Sequence, residues 1–475
     1  MKIHHLIKKS QLPVPVDTAF SWHERQGAIQ RLTPPWEQIR IEGRTGGIQT
    51  GDQTFFNVKA GPFWLDWLAH HTAYEKNRTF QDIQRKGPFL FWEHTHNFHP
   101  DGPQASHLED HIRFRLPLSP FSDVLALPSV KERLYQMFEY RHTITQNDLA
   151  VLSSQPQKLN IVMTGASGVL GSALVPFLTT QGHSITRMVR RTPRSSDEAY
   201  WNPRRQKIDV RPLENSNVVI HLAGEHIGQG RWTSTKKKRI IKSRTKGTSL
   251  IAQTIANMKS PPETLICASA IGYYGNRGDE LLTEDSTWGN DFISDVCHQW
   301  EEAAEAAVAR GIRVVFLRIG VVLTPRGGAL ERLLPAFRMG FGMTFGDGDQ
   351  IMSWISVDDF IGALNHVLFC QDLSGPVNVT APQPVHHRDF SFILAKALKR
   401  PSLIHLPNWA IKRIFGQMGN EVLLSGNCVV PQKLMASGYK FYHPTLDQAL
   451  THLIGLHPFD KNTAAKHFRT VKKLD

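Results

Sequence analysis

Two different hydrophobic patterns divide this chain. Up to about residue 150, apolar side chains fall in short strand-like stretches at 53–57, 65–74, 79–84, 89–98 and 106–116, with helical spacing at either end, over 16–26 and 129–148. In the second helix Leu134, Met137, Phe138 and Ile144 share one face. That order predicts a sheet curled around a helix. From residue 159 short apolar runs at 159–163, 184–189, 218–222, 264–268 and 314–319 alternate with helices that open at Leu170, end at Met258 and span 291–310. Apolar runs separated by helices predict parallel βαβ units with both sheet faces covered. The helix 291–310 carries its own stop signals, Asn290-Asp291 as a cap and Gly311 just past the end.

A polar stretch, Ser153-Ser154-Gln155-Pro156-Gln157-Lys158, separates the two patterns and reads as a linker. The expected domains are therefore 1–155, 159–400, a small mostly helical segment at 401–455, and a basic tail at 456–475 that reads as poorly ordered. A length of 475 residues, with 41% hydrophobic and 20% charged, suits two or three soluble domains rather than a disordered chain. No apolar stretch is long enough for a membrane span or a signal peptide, which gives a cytoplasmic expectation. The four cysteines are scattered without C-x-x-C spacing, against a disulfide framework and against a structural zinc site.

Charge changes the picture little. A net charge of +13 favours anionic partners of any kind. The densest basic run, Lys236-Lys237-Lys238-Arg239 with Lys242, Arg244 and Lys246, lies on a helix without interleaved aromatic residues. It lacks stacking platforms for bases, so a solvated helix face near a phosphate site is expected and nucleic-acid binding is not.

The chemistry begins at Thr164-Gly165-Ala166-Ser167-Gly168-Val169-Leu170-Gly171, which follows an apolar strand and opens a helix with Leu170, Leu174 and Leu178 on one face. Glycines there permit a tight turn, close backbone approach to a pyrophosphate, and packing of helix on strand, while the helix start offers free N–H groups to phosphate. A Rossmann-type doubly wound sheet follows. The second strand ends Met188-Val189-Arg190-Arg191, where an acidic residue would select NAD and arginine accommodates a 2′-phosphate, so NADP is the expected cofactor. The strand 218–222 runs into Ala223-Gly224-Glu225, small enough for close passage beside a nucleotide. Arg239 and Arg244 can reach the same place or remain solvated.

These residues, with Ser269-Ala270-Ile271-Gly272-Tyr273-Tyr274-Gly275, Arg318-Ile319-Gly320-Val321-Val322-Leu323 and Trp354-Ile355-Ser356-Val357-Asp358-Asp359, resemble the epimerase-like, sugar nucleotide epimerase-related proteins of the atypical extended short-chain dehydrogenase/reductase family. The likeness covers roughly 159–450 and includes Arg231-Trp232, Ser243-Arg244, Gly278-Asp279-Glu280 and Trp300-Glu301. It implies NADP contacts at the glycine loop, with Gly165, Ser167, Gly168, Val169, Leu170 and Gly171, and at Arg190, Leu222, Ala223, Arg239, Arg244 and Val322, and an oxidoreductase or epimerase acting on a small molecule; Arg191, Gly224 and Glu225, beside them in the chain, complete the expected cofactor site. The first 150 residues resemble an α+β helix-grip, START/polyketide-cyclase-like domain, which implies a hydrophobic ligand held between sheet and long helix.

Catalytic equipment is incomplete. Typical relatives use a tyrosine to move a proton and a lysine one turn later, yet none of the eight tyrosines here has a lysine four positions on. Aligning Trp300-Glu301 puts Ile293 and Cys297 at those places, and neither can do that chemistry. Ser269, as a hydrogen-bond partner for a substrate oxygen, and Tyr273 or Tyr274, as proton donors, are the candidates; a backbone-bonded hydroxyl and packed aromatic rings are the alternatives. Glu225 and His298 follow behind them. A non-catalytic NADP(H) sensor is the rival reading of the whole chain. Asp358 and Asp359 read as caps of the next helix. On the strand 89–98, His94 and His96 face one way with Trp92 and Phe98, but no thiolate or carboxylate alternates with them, so no metal site is expected.

Overall fold

The computed structural model describes residues 2–118, 121–155, 157–228 and 230–472. Two compact units result, one of Met1–Gln157 with Pro176–Gly182 and Ile454–Asp475, the other of Lys158–Val175 with His183–Leu453.

The first unit is an antiparallel sheet and a long helix. Strand β1 (Lys2–Leu12) leads into helices α1 (Val16–Glu24) and α2 (Ala28–Arg31). Six strands then run as a meander, β2 (Ile39–Arg44), β3 (Gln53–Ala60), β4 (Phe63–Glu75), β5 (Thr79–Lys86), β6 (Phe91–Pro100) and β7 (Ser106–Arg115), and β7 returns to pair with β1. Burial alternates residue by residue along β6 and β7, as expected for a sheet with one covered face. Beyond α3 (Phe121–Leu125), helix α4 (Leu127–Ser154) covers that face through Leu134, Phe138, Ile144, Leu149 and Leu152. The cores are aromatic, with Phe20, Trp22, Phe80 and Phe98 in one cluster and Trp92, Phe114 and Phe138 in another.

Two features of this unit depart from the sequence reading. β1 alternates only weakly in burial and is not among the expected strands. The basic tail is not loose: Lys461–His467 is helical and Phe468–Lys472 pairs antiparallel with β1, with Phe468 7% exposed in the core. An open sheet edge offers unpaired backbone groups to whichever segment reaches it, and composition does not reveal which segment that is.

The second unit holds a sheet in the order Lys207–Ile208, Glu198–Asn202, Ser184–Val189, Asn160–Thr164, Val218–His221, Thr264–Ala270, Arg313–Ile319, Gly375–Val379. All pairings are parallel except the first, at the edge. Numbered by first appearance, the parallel strands run 3-2-1-4-5-6-7, the doubly wound order that reverses between Asn160–Thr164 and Val218–His221. The strand interiors Ile161, Val162, Met163, Val219, Ile220, Leu265 and Ile266 are buried on both faces, which is why no alternation is visible in them.

Helical expectations hold with one break. Asp291 accepts from Ser294 N and caps Phe292–Glu302, but the helix stops there and resumes at Glu305–Ala309. Asp358 and Asp359 do not cap Val357–Phe369; Ser356 does, accepting from Asp359 N. The Asp359 carboxylate instead accepts the backbone N–H groups of Tyr442 and His443, at 2.7 and 3.0 Å, and Asp358 lies 3.1 Å from His452. Both buried acids thus anchor the C-terminal segment, a long-range role that local spacing cannot display. Among the described residues no helix is long and apolar enough to cross a membrane.

Candidate functional site

The carboxyl ends of the central strands converge on the glycine loop. Gly165 adopts φ +75°, and a Cβ there would lie 2.7 Å from the Leu222 carbonyl carbon. At Gly171 a Cβ would lie 2.2 Å from Gly165 O and 2.7 Å from Ala166 Cα. These two positions need glycine for backbone reasons, whereas a Cβ at Gly168 would have only the Gly165 carbonyl oxygen, at 3.3 Å, as a near neighbour. Val169, 40% exposed, starts the helix Val169–Thr180 and packs against Gly327, close to the strand Val321–Leu323 that carries Val322. Leu222 N donates to Thr164 O, so Leu222 and Ala223 pass directly beside the loop.

The two arginines at the end of Ser184–Val189 separate clearly. Arg191 is held in a bidentate pair with Glu198 at 2.7 and 2.8 Å, and that hydrogen bonding draws the Glu198 carboxyl down to about 2. Arg190 is exposed and makes no side-chain hydrogen bond or ion pair among the described residues. The sequence offered both; the structure leaves one guanidinium available.

Glu225 is also occupied. It lies 2.8 Å from Lys236 Nζ and 2.5 Å from an Arg239 nitrogen, and these two donors draw its carboxyl to about 2. Arg244 donates to the Glu225 carbonyl at 3.1 Å, lies beside Gly224 and stacks over Trp300 at 4.8 Å. The basic run is therefore partly consumed in fixing the 222–225 loop, with Lys237 over the Phe292 ring.

Past the loop lies a buried polar chain that the sequence reading did not assemble. Ser269 Oγ donates to Glu301 at 2.7 Å, and Glu301 holds Arg318 through two bonds of 3.0 and 2.9 Å. Arg318 donates onward to Tyr274 Oη at 3.0 Å, and Tyr274 Oη donates to Asn378 at 2.7 Å. Burial alone would lower the Arg318 guanidinium; its bonds and charge pairing with Glu301 outweigh this and raise it. Tyr274 is fully buried, and burial pushes its phenol up to about 12. Its hydroxyl is bonded to protein partners on both sides. Tyr273 is half-buried with its ring 3.4 Å from the Arg318 guanidinium carbon, and burial raises its phenol too. His298 stacks on Trp288 and sits 6.5 Å from the Tyr273 ring. Ile293 and Cys297, at the places of the missing tyrosine and lysine, are buried in an apolar cluster with Trp232 and Ile240. Glu301 and Arg318 stand in quoted motifs of the chain, but only the fold shows that they touch.

The first unit contains a cavity of about 510 Å³ between sheet and α4, walled mainly by apolar side chains such as Leu32, Ile48, Trp67 and Leu134. Its polar lining includes His23, His71, Asp82, His94, His96 and Arg141. Burial lowers the His23 imidazole to about 4. The expectation that His94 and His96 lack carboxylates holds only along their own strand. Register sets Asp82 of β5 opposite His94 and Asp110 of β7 opposite His96, so both acids share their face.

A doubly wound sheet with a glycine loop at its strand-order reversal defines a Rossmann-type dinucleotide-binding class of protein. Residues 161–379 match the NAD dependent epimerase/dehydratase family, and residues 406–453 match a domain of unknown function, DUF1731. An epimerase family protein of Mycobacterium bovis is 39% identical over 290 residues, 61% of this chain and 96% of that protein. The chain belongs to this epimerase family. A crystal structure described as the nucleoside-diphosphate sugar epimerase from Corynebacterium glutamicum is 29% identical, with a TM-score of 0.78, and the match covers 97% of this chain and 92% of that one. The human epimerase family protein SDR39U1, solved with NADPH, is 30% identical with a TM-score of 0.57, covering 63% of this chain and 99% of that chain.

Proposed function

We propose that this chain is an NADP-binding, epimerase-like oxidoreductase of the atypical short-chain dehydrogenase/reductase kind, acting on a small molecule and fused to a domain that holds a hydrophobic ligand. The observation that carries the cofactor reading is the free, exposed Arg190 at the end of the second strand, beside a glycine loop whose positions 165 and 171 admit no Cβ. A guanidinium with no protein partner there suits a 2′-phosphate. The NADPH in the human relative supports the same assignment. Gly165 to Gly171, Leu222, Ala223 and Val322 would line the dinucleotide, which supplies hydride chemistry when bound. Ser269, oriented by Glu301, is the residue for a substrate oxygen, and Tyr273, the less buried of the two neighbouring phenols, the first candidate for a proton. For the first domain, the antiparallel sheet, the long helix α4 and the apolar cavity between them support the helix-grip, START-like reading and a hydrophobic occupant.

The test is a fluorescence titration with NADPH and NADH on the wild type and on Arg190→Ala. Loss of one charge-assisted phosphate contact costs about 1.5–3 kcal/mol, about ten- to a hundredfold in NADPH affinity, with NADH nearly unchanged. Equal losses for both cofactors overturn the NADP assignment.

One observation favours a second reading, a protein that binds NADP(H) without turnover: Tyr274 is locked to Asn378 and Arg318, and the tyrosine–lysine positions hold Ile293 and Cys297. Screening small carbonyl compounds for NADPH oxidation separates the two. Turnover that fails in Ser269→Ala supports the enzyme, and bound NADPH that no compound oxidises supports the sensor.

A further inference from the structure

We propose that the first unit binds one divalent first-row transition-metal ion between Asp82, His94 and His96, on the wall of its apolar cavity. The protons and lone pairs around one buried carboxylate, Asp110, point to it independently of the NADP site.

Their assignment starts at His142 on α4. Its Nδ1 lies 2.8 Å from Ser10 Oγ and its Nε2 lies 3.0 Å from Asp110 Oδ2. An ionised carboxylate only accepts, so Nε2 carries the proton and Nδ1 accepts from the serine hydroxyl. His94 Nε2 likewise lies 3.2 Å from Asp110 Oδ1, and His96 Nδ1 lies 2.5 Å from the same oxygen. Asp110, 2% exposed, thus accepts an N–H from His142 and from His94, while the His96 ring lies against it without hydrogen-bond geometry.

In a neutral ring that fixes the opposite nitrogen of His94, Nδ1, as a lone pair, and a neutral His96 carries one lone pair of its own. His94 Nδ1 faces Asp82 Oδ1 at 3.7 Å, one acceptor against another with no proton between them. One ligand atom from each of Asp82, His94 and His96 lies within 4.8 Å of the other two. A cation satisfies all three acceptors at once. Bonds of about 2.0–2.2 Å would draw the ligand atoms together by roughly 1 Å, within the reach of side-chain adjustment.

The surroundings match the needs of such a site. Ligating histidines ordinarily donate their second N–H to a carboxylate, which fixes the tautomer and strengthens the ligand, and Asp110 stands in that position for His94 and lies 2.5 Å from the His96 ring nitrogen. Two imidazoles and one carboxylate suit zinc or ferrous iron, and three protein ligands leave coordination positions open. All three ligands line the cavity, so the open positions would meet whatever occupies it. The register of β5, β6 and β7 assembles the set, with Asp82 paired to His94 and His96 to Asp110.

The experiment uses the full-length, tag-free protein, stripped with a chelator and titrated with Co²⁺ while its visible ligand-field absorption is followed, with Zn²⁺ then added as competitor. The expected result is one Co²⁺ per chain, displaced by Zn²⁺, with affinity weakened at least tenfold in Asp82→Asn and in His96→Gln. Circular dichroism checks that each variant is folded; Asp82 is only half-buried, so Asp82→Asn keeps the test decisive if the His96 variant unfolds. Absence of Co²⁺ uptake overturns the proposal. Uptake unchanged in a folded Asp82→Asn also overturns it, because the ion then sits elsewhere.

Discussion

Replacing Arg318 with methionine should destabilise the second unit strongly, for reasons that lie in its partner. Arg318 is 3% exposed and makes two bonds to Glu301, whose side chain is 11% exposed, so the variant strands a carboxylate away from water. Breaking a buried pair from one side costs about 3–5 kcal/mol. With a denaturant slope of about 3 kcal/mol per molar urea for a unit of this size, the midpoint should fall by roughly 1 M or more. Removing both charges, in Arg318→Met with Glu301→Leu, should recover about half of that loss, since apolar replacement of a whole buried pair is close to neutral. The recovery is incomplete because Ser269 Oγ loses its acceptor and the Glu284 carbonyl its donor. Urea unfolding followed by tryptophan fluorescence reads all three proteins, the wild type, the single variant and the double. A loss below about 1 kcal/mol in Arg318→Met, or a double variant no more stable than that single one, shows that the stranded carboxylate is not the cause. The double variant should still bind NADPH while losing any turnover that depends on an oriented Ser269.

Three further outcomes are expected. Gly171→Ala forces a Cβ to within 2.2 Å of Gly165 O, so the loop must shift by about 1 Å; melting and NADPH titration should show a loss of about 1–3 kcal/mol in stability and of cofactor binding in a still folded protein. Arg191→Ala, which removes a guanidinium already held by Glu198, should change NADPH affinity by less than about threefold in the same titration that loses tenfold or more in Arg190→Ala. Burial lowers His23, His221 and His387 to about 4. The unfolded chain takes up these protons first, so stability is full above pH 6.5 and falls as pH drops toward 4, by about 2 kcal/mol per histidine at pH 5. Thermal melts from pH 7 to pH 5 should show the decline, and a slope unchanged in His221→Gln would contradict this origin.

Whatever depends on neighbours along the chain was legible in the amino-acid order. Apolar runs such as 159–163 are strands because both of their faces are buried, and Gly165 and Gly171 declared a tight strand-to-helix turn because no other residue fits backbone that close. Arg190 could be placed because it ends a strand whose position after the loop is fixed by one crossover. Whatever depends on partners from afar emerged only with the folded chain. There Glu198 takes Arg191 but not Arg190, Glu301 joins Ser269 to Arg318, and Tyr274 is spoken for. Folding also brings Asp82 and Asp110 to the face of His94 and His96, and Phe468–Lys472 to the open edge of β1. The physical reason is the same in each case: periodicity states which way a side chain points, and only the pairing of strands and the packing of helices states what it meets there.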